Sequence, residues 1–513
     1  MLDKARRSPG LLKATCVAFI SFASAAPCAI AQIPSWGVDS FHAPADSRWR
    51  SVTLQDVRAA YLLLRDNHPG AAAELHDLEF QKRLADSHEL ALRRARTVSS
   101  YEGYMATLAG FATGMGDKHI WSRPTFVVNL PRWAGMLVSK RGDTWIVSDA
   151  EESNKRLLGA NLVGCDGVEV RALARKNLGA FRAVWSVGAQ QIQSAPWLLV
   201  DEGNPFITRP KSCLFRHDGR DEAVSLEWTR IKRESLLGRL KKAVGAGAAG
   251  FGVRKAAQGF WIALQDLESD QARNVVKAVE EQKAMLREAA FVVLDLRGNG
   301  GGSSDMGRQI AKSLLGPAAV DERLGKSDEN CEGADGAWRA SEGNINNLQY
   351  LQTLPIVVQG SPEVQKIFSE VLQSARSARA QGKQFSASIT CTPEPPPKPA
   401  ATQVPSLFKG RLILLTDNLC FSSCLSVTED FRALGALHVG ETTDAATHFV
   451  EVREQFLPSG YSLFSTLQSV YASAPVQLGP YEPAIPYNGD ISDTPALEEW
   501  VTRTIVGAAE SNR

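Results

Sequence analysis

The chain has 513 residues, of which 44% are apolar and 22% charged, with a net charge of +1. That length accommodates roughly two to four domains. So even a charge excludes the basic patterning of a nucleic-acid or anionic-membrane binder. Beyond the N-terminus no stretch is long and apolar enough to span a bilayer.

Lys4, Arg6, Arg7 and Lys13 precede an apolar run from Ala14 to about Ala26, and Ala29-Ile30-Ala31 supplies small residues for cleavage. Residues 1–31 therefore read as a secretory signal peptide, removed to leave a secreted, periplasmic chain with no stable membrane insertion. Of the eight cysteines, Cys165, Cys213, Cys331, Cys391, Cys420 and Cys424 remain after cleavage. An even number in an oxidising compartment permits disulfides. Cys331 and Cys391 flank one long insert and are the first expected pair. Cys420 with Cys424 is a second candidate, across a tight loop.

Residues 32–128 read as a helical N-terminal domain. Helical spacing runs over Leu54–His68, Phe80–Arg96 and Tyr101–Phe111, and the domain closes on the turn Asp117-Lys118-His119. Residues 129–180 form a small β-rich module, with short strands at Met136–Ser139 and Thr144–Ser148. Residues 181–250 are connecting sequence. Residues 251–316 and 406–513 are two parts of one α/β core. Residues 317–405 interrupt it as a polar insertion with one helix, Pro362–Ala378, and a proline-rich tract at Cys391–Pro399.

The chemistry gathers at two strand–turn–helix units. Phe291–Leu296 is too apolar for a half-exposed strand and reads as a buried parallel one. It runs into Arg297-Gly298-Asn299-Gly300-Gly301-Gly302, whose glycines allow a ligand to approach backbone N–H groups. Arg411–Thr416 is the second buried strand, and Ser422 sits at the mouth of the helix that follows. A glycine loop beside a serine suits an oxyanion hole and a nucleophile. The ordinary alternative for Ser422 is a helix N-cap. The loop lacks the Lys-Ser/Thr of a P-loop, and Ser303 stands where GxGxxG needs its third glycine. No Cys/His spacing suits zinc. Neither metal nor cofactor is expected.

The ordered set resembles the S41 serine peptidases, the group of C-terminal processing proteases and tricorn protease. It comprises His68-Pro69-Gly70, Asp117-Lys118-His119, Gly159–Val170, the Arg297–Gly302 loop, the serine after a buried strand, and Gly440-Glu441-Thr442. The resemblance implies an α/β multidomain fold. Its parts are a helical N-terminal domain, a PDZ-like module that takes a polypeptide end by strand addition, and a ClpP/crotonase-like ββα-superhelix core carrying the insertion. It implies a serine endopeptidase acting on polypeptides. Counted from Asp417, the family's serine falls on Ser422, with Ser426 as the alternative because Ser426–Glu429 copies its Ser-x-x-Glu spacing. The family's catalytic lysine would fall near Thr447 and His448, yet no lysine follows Lys409. The base then comes from the tricorn-like Asp-x-His turn, as His119, with His448 in reserve and Glu482 as the expected orienting group. Gly301, Gly302 and Ser423 would line the oxyanion hole, while Arg297 and Asn299 brace the loop. The missing lysine and the changed residues after Ser422 leave open a second reading, a catalytically inactive ligand-binding protein of the same fold. Oligomeric state is not legible.

Overall fold

The computed structural model describes residues 46–125, 130–245, 247, 249–256, 259–324, 336–358, 362–387, 404–471 and 476–506. The signal segment, Cys331, Cys391 and the proline-rich tract lie outside them. The site is built on a six-stranded sheet in the order Phe251–Ala256, Gly259–Leu264, Phe291–Asp295, Arg411–Thr416, Leu437–Gly440, Ile485–Pro486. The first pair is antiparallel and the rest are parallel. Strand alternation sends Val292, Leu294, Leu412 and Leu414 toward the helices Asp270–Glu281, Asp305–Leu315 and Ser423–Ala433. Phe291, Val293, Ile413 and Leu415 face the other way, onto Ile491, Leu497 and Val501. Both faces are covered, which is why these strands read as continuous apolar runs.

Helices Asp46–Asn67, Leu78–Ala95 and Tyr101–Gly114 form the N-terminal part. The Asp77 carboxylate and the Ser100 hydroxyl cap the second and third by accepting from Phe80 and Gly103 N–H. Their core is not self-contained. Phe464, Leu467 and Val470, from the hairpin Phe449–Phe456/Ser462–Val470, pack with Val57, Leu64, Leu108 and Phe111. The C-terminal portion thus completes the N-terminal domain as well as the catalytic sheet. The insertion also joins this core, through Ala337 and Phe385. Ala337–Trp338 pairs with Ser462–Val470, so this part of the insertion is packed rather than solvated.

The β-rich module is larger than 129–180. Its sheet runs Met136–Arg141, Thr144–Ala150, Asn161–Cys165, Ser212–His217, Arg220–Ser225. The last two strands come from sequence read as connecting, and Cys165–Cys213 staples them to the first three. A separate three-stranded sheet lies beside the module, in the order Thr229–Arg230, Arg132–Trp133, Val200–Asp201. Val200–Asp201 pairs antiparallel with Arg132–Trp133, and Ala134 N–H donates to the Leu199 carbonyl at 3.1 Å. Leu198 and Leu199 bury themselves among Met136, Val138, Leu173 and Ala174.

Candidate active site

The glycine loop is held from below. Arg297 and Asp295 form a fully buried ion pair, with 2.7 Å between Nη2 and Oδ2. The guanidinium also donates to the Ile491 carbonyl at 2.6 Å and to Thr494 Oγ1 at 3.1 Å. Asn299 donates through Nδ2 to the Leu264 carbonyl (2.7 Å) and accepts from Gly301 N–H (2.9 Å), while its own carbonyl accepts from Phe421 N–H (3.1 Å). Arg297 and Asn299 thus tie the loop to the sheet and to the C-terminal segment. The Gly301 N–H does not match its expected part, because Asn299 already occupies it.

Asp417, at the end of the Arg411–Thr416 strand, links the two halves. Its carboxylate accepts from Gly298 N–H at 2.9 Å and from Leu419 N–H at 3.0 Å. Burial pushes this carboxyl up to about 7, Glu441 and Asp295 add to the rise, and the two N–H groups only partly oppose it.

Ser422 opens the helix Ser423–Ala433 at φ 57° and ψ −129°, and its side chain caps nothing. This is a region that non-glycine residues rarely enter. The N-cap alternative needs extended backbone and a bound N–H, so the structure excludes it. Gly301 lies directly opposite, so close that a Cβ on it would sit 2.8 Å from the Ser422 Cβ. Ser423 Oγ donates to the Gly302 carbonyl at 2.6 Å and so joins helix to loop. The Ser423 N–H belongs to the first turn, where a helix has no internal acceptor to offer. Ser426 lies one turn further along the same helix.

His119 is buried, with its ring 4.4 Å from that of Phe421, the residue before Ser422. Two contacts to Asp117 Oδ1 fix it, from the backbone N–H at 2.8 Å and from Nδ1 at 2.9 Å. Thr447 donates its hydroxyl to the other oxygen of Asp117. Burial raises the Asp117 carboxyl, but the His119 ring and the hydrogen bonds from His119 and Thr447 prevail and hold it at about 2. A carboxylate on Nδ1 keeps the proton there and leaves Nε2 as the basic atom.

Glu482 is exposed and makes no hydrogen bond to His119. The carboxylate on the imidazole is that of Asp117, two residues away rather than some 360. The Asp-x-His turn carried this signal, since a short side chain two residues back can fold onto the ring and its N–H together. His448 is buried against Phe449 with its ring at 4.5 Å. His68 stacks on Phe80 at 4.1 Å and accepts from Gly70 N–H, and burial pulls it down to about 3, so it is a neutral structural residue.

A further network was not legible in the sequence. Lys118 Nζ donates to Asp444 Oδ2 and Gln193 Oε1, both at 2.8 Å. Gln193 Nε2 donates in turn to Asp444 and the Asn418 carbonyl, and Gln190 reaches the other Asp444 oxygen. Helix Gly188–Ser194 thereby ties the Asp117–His119 turn to the turn before Ser422. Beside the Asp117–His119 turn lies a cavity of about 520 Å³, lined by Asp117, Lys118, Ala109, Phe181, Trp197 and Arg209 among others.

A strained serine at a strand–helix turn, a glycine loop across from it and a carboxylate-bound imidazole against the preceding Phe421 are the kinds of part a serine hydrolase uses. Residues 261–475 match the model of Peptidase family S41, so this part of the chain is similar to the peptidase domain of that family. Two similar solved structures are mature CPAF and mature CPAF complexed with lactacystin. The first is 15% identical, with a TM-score of 0.55, covering 89% of this chain and 97% of that one. The second is 14% identical, with a TM-score of 0.54, covering 90% and 99%. At such identity the likeness is one of fold. No curated protein sequence matches.

Proposed function

We propose that this chain is a secreted, periplasmic serine endopeptidase that cleaves polypeptides through an acyl-enzyme. His119 Nε2 takes the Ser422 hydroxyl proton as Oγ attacks the scissile carbonyl carbon. Asp117 holds the imidazole and stabilises its charged form. The oxyanion falls to the Ser423 and Gly302 N–H groups, since Asn299 engages that of Gly301. His119 then protonates the leaving amine, the C–N bond breaks, and a water deprotonated by His119 releases the acid from Ser422. The parallel core reads as the ββα superhelix of the family, and the β-rich module as PDZ-like. Two disulfides support an oxidising compartment.

The observation that carries this reading is the backbone of Ser422, held at φ 57° with a hydroxyl that caps nothing. A fluorophosphonate should label Ser422 in the wild-type protein and leave Ser422→Ala unlabelled. Label on Ser426 would move the nucleophile. A wild type inert to both the probe and unfolded polypeptides would favour the inactive binding protein instead.

A further inference from the structure

Cys420 and Cys424 form a disulfide, so a covalent ring of five residues closes around Ser422. Both half-cystines are fully buried. The ring is anchored on both sides. The Cys420 carbonyl accepts from Asp444 N–H at 3.0 Å, within the network that holds Lys118, and Thr428 Oγ1 donates to the Cys424 carbonyl at 2.8 Å. Inside it, Cys424 N–H reaches the Phe421 carbonyl at 3.2 Å and Leu425 N–H the Ser422 carbonyl at 2.8 Å.

A serine at this position has a competing state. With extended backbone it becomes an ordinary N-cap, its hydroxyl turned down onto the first-turn N–H groups. That state relieves the positive φ and hides the nucleophile at once, so an unrestrained chain favours it. We infer that the Cys420–Cys424 disulfide is a positioning element of the catalytic site: it closes the relaxed N-cap state to Ser422 and keeps the hydroxyl presented to substrate and to His119. Cys420 and Cys424 touch neither substrate nor reacting atoms and act through the Ser422 backbone. A consequence is redox dependence. A dithiol reductant opens the bond by exchange, giving two cysteine thiols and its own cyclic disulfide, and the nucleophile turns inward.

The inference rests on the Ser422 reading, and its test separates the two. The fluorophosphonate labelling rate and the kcat and KM for a peptide substrate are measured for wild type and for Cys420→Ala/Cys424→Ala. Expected is a labelling rate and kcat at least tenfold lower, a KM within twofold, and a retained cooperative melt. Labelling of the folded variant within twofold of wild type overturns the inference and leaves the nucleophile assignment standing. An oxidised wild type that takes no label overturns both. Should the double variant fail to fold, wild type reduced with dithiothreitol replaces it, with alkylation and mass analysis confirming free thiols at Cys420 and Cys424, and Cys165→Ala/Cys213→Ala treated alike to separate the other bond. Slowed labelling restored by reoxidation supports the inference, and undiminished labelling of the reduced protein overturns it.

Discussion

Replacing Gly301 by alanine tests the site geometry most directly. Its φ is +109°, where a side chain is strained, a cost of about 1–3 kcal/mol. The new methyl would stand 2.8 Å from the Ser422 Cβ, 3.0 Å from the Phe421 carbonyl oxygen and 3.1 Å from the Ser423 nitrogen. Carbon atoms rest about 3.5–4.0 Å apart, so loop and serine must separate by roughly 1 Å. The serine side cannot give, because the Cys420–Cys424 ring holds it. Misplacing reacting groups by about 1 Å costs on the order of 10²-fold in rate. Gly301→Ala should therefore lose about 100-fold in kcat/KM against a peptide substrate while its melt stays cooperative. Gly300 is the internal control, for its added Cβ meets nothing within 4 Å. Gly300→Ala should stay within a few-fold of wild type. Equal activity in the two variants would refute the placement of Gly301 against the nucleophile.

The orienting group is tested by a pair of substitutions. Asp117→Asn should lower kcat by roughly 10²–10⁴-fold at neutral pH through loss of the Nδ1–H tautomer, while Glu482→Gln should stay within twofold; the reverse ranking in steady-state assays would restore Glu482. Asp417 predicts a pH-dependent stability. Its folded value, about 7, lies above the ordinary 3.8, so the stability it contributes is whole below 3.8 and is lost as pH rises toward 7. At about 1.36 kcal/mol per pH unit this reaches about 4 kcal/mol. Denaturant melts from pH 4 to pH 8 should show Asp417→Asn gaining on wild type as pH rises, and a pH-independent difference would defeat the assignment. Asp117 runs oppositely, its stabilisation being present above 3.8 and lost as pH falls through about 2. Arg297→Met strands the buried Asp295 carboxylate and should cost about 3–5 kcal/mol in the same melts.

Much of the local structure could be read from the chain. The apolar runs at Phe291 and Arg411 became adjacent parallel strands, with Leu294 beside Leu414, because a strand buried on both faces has no polar positions to obscure it. The glycine loop showed in its composition for the same local reason. Asp117 reaches His119 Nδ1 across a two-residue turn, a contact decided by side-chain folding rather than by spacing along the chain. Asn299 takes the Gly301 N–H because its side-chain oxygen turns back onto the loop it braces. The module's boundary moved because strands Ser212–His217 and Arg220–Ser225 carry many exposed polar residues and resemble linker when read alone.

The sequence by itself determined the parts whose physics is local: the buried strands, the capped N-terminal helices, the glycine turn and the serine at a helix entrance. Tertiary structure decided what depends on meeting across distance. It brought hairpin 449–470 into the N-terminal core, sent Leu199 into the core of the β-rich module, and set His119 beside Phe421. It also took Ser422 out of the capping conformation that the chain by itself allows. Short-range propensity favours the cap. The Cys420–Cys424 ring and the opposing Gly301 flank the conformation it takes instead.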